Sequence, residues 1–315
     1  MRYSVKAMLL TTILILTTAY HSQAQTLTAP LEIDPANAEF VYDDIHNFVR
    51  AFNMLKDGGD TLAILQAEYI DKATPGLKEF GNKYGLDLEK LVAAINKNPE
   101  KYADLHEIPE LLSEREPHFR DAFTRLTEIY PDAKFPPTYF VVEYQRGIGS
   151  GSAAGQLIAV DRWKAPLDNK ITMITHELTH MQQVMAIGYP EYVKLFGPKK
   201  SLLGLCIREG TAEFIADLVT GTITQDEALE WTLANEPRLK AEFMKDKDNV
   251  ETGDWMWSKP EDPDQPRHVG YVIGYRIVES YYNNADDKAR AIREILGVTD
   301  YQAFFENSGY ISDSN

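Results

Sequence analysis

The sequence predicts an α+β protein that is mostly helical, with a helical N-terminal region, a small β-sheet, a second helical part and a cleft between them. Three observations carry that expectation. Residues 35–130 and 201–296 are dominated by apolar positions at helical spacing, interrupted by Gly, Pro and Asp. Between them, residues 135–144 and 156–160 form two short runs rich in β-branched and aromatic side chains. At 315 residues and 44% hydrophobic, the chain can bury a sizeable core, as one large domain or two fused subdomains.

In chain order, residues 1–24 come first. A basic start (Arg2, Lys6), an apolar run from Ala7 to about Thr18, and small residues at Ser22 and Ala24 make the pattern of a signal peptide cleaved after Ala24. The expected location is periplasmic or secreted. The apolar run is short for a bilayer and nothing later approaches about 20 uninterrupted apolar residues, so no membrane span is expected. Gln25, rather than Cys, follows the cleavage point, which gives no site for lipid attachment.

The formal charge of −16 becomes −18 once Arg2 and Lys6 leave with the leader, a balance that argues against nucleic acid and anionic membrane surfaces as partners. Cys206 is the only cysteine, so no internal disulfide is available, and it reads as a small buried apolar residue.

Residues 25–130 form the expected helical region, with segments at 40–54, 62–72, 88–96 and 118–130; Asp87 is placed to cap the third. His46, His106 and His118 have no neighbours at ligand spacing and read as structural. At Pro131 the character changes, and 131–315 is expected to hold the sheet and the second helical part. Runs 135–144 and 156–160 read as paired strands. The glycine-rich stretch GIGSGSAAG at 147–155 has neither G-x-G-x-x-G nor G-K-[ST] and no following helix N-terminus, so it reads as a hairpin connection and not a phosphate loop. One of the strands could form an edge on which an extended peptide adds itself through main-chain hydrogen bonds.

The stretch ITMITHELTHMQQVMAI at 171–187 carries His176, Glu177 and His180 as H-E-x-x-H. At about 100° per residue, Ile171, Ile174, Leu178, Met181 and Met185 fall within roughly 80° of arc, and the two histidines lie on the opposite side. Residues four apart stack on a helix, so both imidazoles can close on one metal ion, zinc, while Glu177 is rotated aside to act as a base. Gly188 and Pro190 end this element, and residues 201–220 read as another helix. Its Glu209, Glu213 and Asp217 recur every four residues along one face, which offers an anionic third ligand to an incomplete site. Both Glu209 and Glu213 point towards the metal on spacing alone. Beyond lie a charged helix-like stretch at 221–250, a Pro and Asp-rich loop at 251–267, and a helical region at 269–296.

With these segments assembled, the chain resembles a family of bacterial exported zinc-dependent proteases, related in pattern to the gliding-motility lipoprotein family. The similarity runs through YIDKATPGL at 69–77, YPDAKFPP at 130–137, the HELTH helix, EGTAEF at 209–214 and GYVIGY at 270–275. HExxH followed by a glutamate on a second helix also resembles the gluzincin metallopeptidases, with a somewhat longer interval that leaves room for an excursion at 188–200. The resemblance implies a gluzincin-like helical metallopeptidase part, with Glu209 as third ligand and Glu213 orienting the first histidine. Asp217 is then a solvated or capping acid.

The expected function is hydrolysis of a peptide or protein substrate. His176, His180 and a glutamate leave one coordination position for water, whose pKa zinc lowers towards about 7. Glu177 takes the proton and returns it to the leaving nitrogen. Tyr271 or Tyr275 could donate to the oxyanion, with His268, a loop residue, behind them. The rival expectation is an exported binding or assembly protein with a structural or relic zinc site; Glu177 argues against it, because a structural site has no use for a base there.

Overall fold

The computed structural model describes residues 30–311, apart from 148, 165, 166, 168, 169 and 197–199, so the leader expected at 1–24 lies outside the described residues. A short strand β1 (Phe40–Val41) leads into α1 (Asp43–Leu55) and α2 (Thr61–Leu65), which runs on as a π-turn over Gln66–Ile70. Then come α3 (Pro75–Tyr84), α4 (Leu88–Lys97), α5 (Pro99–Ala103) and α6 (Ile108–Ile129). Side-chain caps start several of these: Asp60 accepts from Leu62 N and Ala63 N, Thr74 from Leu77 N ahead of Pro75, and Asp87, as its position implies, from Lys90 N. The last helix begins ten residues before His118 and continues through Pro117, because burial of Leu112, Phe119, Phe123 and Leu126 along one side outweighs the hydrogen bond that proline removes.

Among the described residues the sheet has four strands in the order β1-β2-β4-β3, with β2 at Thr138–Val141, β3 at Gly149–Ser152 and β4 at Gly155–Ala159. The two runs legible in sequence, β2 and β4, do pair, but in parallel. The stretch expected to be only a connection therefore contains β3, the return leg that lets β4 start again at the same end as β2. It pairs antiparallel with β4, from Gly149 opposite Ile158 to Ser152 opposite Gly155. The tight turn between them needs Gly155 at φ +136°, where a Cβ would also lie 2.2 Å from the carbonyl oxygen of Pro137. A strand of alternating Gly and Ser lacks the β-branched signal that exposed its neighbours. The N-terminal helices pack on this sheet: the buried Tyr69 hydroxyl donates to Val142 O at 2.6 Å and Tyr102 to Glu143 O at 3.0 Å.

The rest is helical: α7 (Lys170–Ile187), α8 (Tyr189–Phe196), α9 (Leu202–Thr220), α10 (Asp226–Asp246), α11 (Val269–Asn284), α12 (Lys288–Leu296) and α13 (Tyr301–Ser308). Gly188, at φ +87°, separates α7 from α8. Ser201 caps α9, which is buried around almost its whole circumference, Cys206 included. It is sandwiched between α7 and α11. The approach to α11 is close because glycines face each other: a Cβ on Gly210 would sit 2.0 Å from the carbonyl carbon of Gly274, and one on Gly274 would sit 1.8 Å from Cys206 O. One continuous hydrophobic core reaches from Ala38 to Tyr310. No helix among the described residues is long and apolar enough to cross a membrane.

Candidate metal centre

The centre is built where α7 crosses α9. Ile174, Leu178 and Met181 are buried and seat α7 in the core. That leaves His176 and His180 one turn apart towards α9, their rings 4.9 Å apart and nearly perpendicular. From α9, Glu209 brings Oε2 to 3.1 Å from His180 Nε2 and 3.4 Å from His176 Nε2. These three side chains form the one metal-capable cluster among the described residues, so the solitary His46, His106 and His118 join none. Ligands about 2.0–2.1 Å from a tetrahedral ion lie about 3.3 Å from each other, which matches this spacing, and two imidazoles with one carboxylate suit zinc.

A surrounding set of partners orients each of the three side chains. Gln183 Oε1 lies 2.9 Å from His180 Nδ1 and, as a carbonyl oxygen, accepts a hydrogen bond from its N–H; this leaves the Nε2 lone pair facing the centre. The Gln183 amide in turn donates to Arg208 O at 3.2 Å. On the far side of Glu209, Arg208 Nε donates to Oε1 at 2.9 Å, and its Nη2 joins the same oxygen. Each carboxylate oxygen thus has its own task. Burial opposes ionisation of Glu209, but Arg208, His180 and His176 together hold its carboxyl well below the usual range.

Glu213, fully buried one turn further along α9, places Oε1 3.1 Å from His176 Nδ1. It is itself fixed by Thr224, whose N–H donates to Oε2 at 2.7 Å and whose hydroxyl donates to Oε1. Burial disfavours a charged His176, yet Glu213 and Glu209 raise its pKa well above the ordinary value. Gln183, Arg208 and Thr224 were not singled out in the sequence. Only Gln183, three residues after His180, left a local signal.

The two tyrosines named as oxyanion donors part company. Tyr271 lines the cleft, with its ring 6.1 Å from that of His176 and within 14° of parallel. Its oxygen accepts from Trp257 Nε1 at 3.0 Å. Tyr275 corrects the expectation: its hydroxyl donates to Asp217 Oδ2 at 2.8 Å, it packs on Phe214, and it does not line the cleft. Four residues keep Tyr275 on nearly the same side of α11 but carry it about 6 Å further along the axis, past the cleft and against Asp217 of α9. Asp217, expected to be solvated or capping, is its acceptor. His268 lines the cleft in a left-handed conformation at φ +66°, 5.1 Å from the Tyr271 ring and with Nδ1 2.9 Å from Gln225 Oε1. Tyr192 of α8 lines the cleft too and carried no sequence signal.

The cleft encloses about 890 Å³. Glu177 faces it beside edge strand β3, where a Cβ on Gly149 would fall 2.3 Å from Glu177 Oε1 and one on Gly151 would fall 2.3 Å from Met181 Sδ. Because Gln156 N–H donates towards β2 at Pro137 O, the alternation of the ladder turns the backbone groups of Gly151 outward, to the open edge.

A family described as Predicted Zn-dependent protease (DUF2268) matches residues 139–296, a span that begins in β2 and includes every residue of the centre. No curated protein and no solved structure matches the chain.

Proposed function

Since the chain belongs to this family of predicted Zn-dependent proteases, we propose that it is an exported zinc metallopeptidase that hydrolyses peptide bonds in the cleft between α7 and β3. The observation that carries the proposal is the convergence of His176 Nε2, His180 Nε2 and Glu209 Oε2 beside an acid, Glu177, that is not part of the ligand cluster. When bound, zinc would polarise the substrate carbonyl and acidify the attacking water.

The protein's own groups account for the remaining work. His176, His180 and Glu209 hold the ion; Gln183 and Glu213 set the orientation of the two rings. Glu177 takes the proton of the attacking water and delivers it to the leaving nitrogen. Tyr271 receives a hydrogen bond from Trp257, so its own phenolic proton is available for the developing oxyanion, and burial keeps that phenol well above its ordinary pKa. The open edge of β3 gives an extended peptide a strand to lie against.

Metal analysis of the purified chain, together with turnover of a broad peptide library, tests this reading. About one zinc ion per chain and cleavage that a chelator abolishes are expected. A folded, zinc-loaded protein that cleaves nothing would favour the binding or assembly role instead.

A further inference from the structure

Across the chain, acids outnumber bases by 48 to 32, but among the described residues the cleft inverts the ratio, with six basic side chains and three acidic ones on its walls. Arg208 is committed to Glu209, and Arg146 to the buried Glu143 through Nε at 2.6 Å. Four cations remain, Lys83, Arg162, Lys170 and Arg267, and none is paired with a carboxylate among the described residues. On the acidic side, among the described residues, only Glu177 and Asp226 are left.

These cations come from four separate segments. Lys83, at the end of α3, reaches the outer edge of β3, where Nζ donates to Ser150 Oγ at 2.6 Å and Gly151 O at 3.0 Å. Arg162 follows β4 and lies against Gly147, whose missing Cβ would stand 2.9 Å from Nη1. Lys170 stands two turns before Glu177 on the same face of α7, its ammonium 5.4 Å from the centre of the Trp163 ring. Arg267 precedes His268 at the start of α11. Chance lining in so acidic a chain would give the opposite sign, and the half-buried ammonium of Lys170, without an anion, is costly until a ligand supplies one.

Resting on the peptidase reading, we propose that the preferred substrate is an acidic peptide segment, with Asp or Glu side chains flanking the bond to be cut and held by Lys83, Arg162, Lys170 and Arg267. The edge of β3 takes the backbone, and the cations on either side of it select the side chains. A carboxylate can replace the contacts that Lys83 now makes with Ser150 and Gly151 as the strand edge is occupied.

Binding is measured separately from cleavage, by fluorescence anisotropy of labelled 12-residue peptides on the full chain carrying Glu177→Gln. Three peptides differ only in having Glu, Gln or Lys at alternate positions. At low ionic strength the Glu peptide is expected to bind at least about tenfold more tightly than the Gln peptide, with the advantage shrinking as salt is added. Arg162→Gln with Lys170→Gln should remove most of that advantage, whereas Lys164→Gln, an exposed lysine outside the cleft, should leave it. Equal binding of the Glu and Gln peptides overturns the proposal. So does a preference that disappears on chelation, since the metal alone would then be the anion receptor. Tight, salt-sensitive binding of the Glu peptide by a wild-type protein that cleaves no peptide would defeat the peptidase reading and leave only the preference of the cleft for acidic peptides standing; cleavage with no charge preference would overturn the present proposal and leave the peptidase reading intact.

Discussion

Gly149 and Glu177 meet without room for a methyl group: a Cβ at position 149 would stand 2.3 Å from Glu177 Oε1. The strand edge proposed to receive the substrate and the acid proposed as base are therefore held against each other, and glycine is what permits it. Replacing Gly149 by Ala should push the carboxylate aside by about an ångström while leaving the ligands in place. We predict a fall in kcat/KM of about 100-fold with unchanged zinc content. A wild-type rate in Gly149→Ala would show that this contact does not position the base.

The base itself gives a second prediction. Glu177→Gln keeps the shape of the side chain and lies outside the cluster of His176, His180 and Glu209, so zinc binding should survive while hydrolysis drops by about 10²–10⁴-fold. Metal analysis and single-turnover cleavage of one substrate read both quantities in the same sample. Hydrolysis at the wild-type rate rules out the assigned role.

Glu209 and Glu213 should separate in zinc titrations against a competing chelator. Glu209 Oε2 lies 3.1 and 3.4 Å from the two Nε2 atoms, whereas Glu213 reaches the centre only through His176 Nδ1. Glu209→Gln should lose most of the affinity, and Glu213→Gln about 10–100-fold. A larger loss for Glu213→Gln would reverse the two roles.

Far from the cleft, Asp44 offers a pH test of stability. Its buried carboxyl is raised from 3.8 to about 6 by burial, although the N–H and hydroxyl of Thr74 pull the other way. A folded-state value above the unfolded one favours the protonated form in the native state. Its contribution is thus complete below about pH 4 and is lost as pH rises to about 6, a swing of about 2–3 kcal/mol. Asp44→Asn cannot titrate, so from pH 4 to pH 7 the unfolding free energy of the variant relative to wild type should shift in its favour by that amount. Denaturant titrations at the two pH values measure it, and a pH-independent difference would refute the assignment.

The paired histidines, the adjacent glutamate and the acid stripe were legible because each depends on spacing within one helix, where backbone geometry alone sets which residues share a face. The helix boundaries near Asp87 and Ser201 were readable for the same local reason, since a cap bonds to residues two or three positions away. Strand β3 was not, because GSGS has no propensity of its own and becomes a strand only through pairing with β4.

What the sequence determined by itself was therefore the chemistry carried on single elements: two imidazoles and a carboxylate on α7, and three acids on α9. Tertiary structure decided which of those groups meet. The contact of Gly210 with Gly274 sets how closely α11 approaches α9, and with it the placing of Tyr271 over His176 and of Tyr275 against Asp217. Arg208, Thr224, Trp257 and the four cleft cations likewise gain their roles from neighbours outside their own segments. Such distances follow from how side chains of different helices fill a shared core, and no periodicity along one segment encodes them.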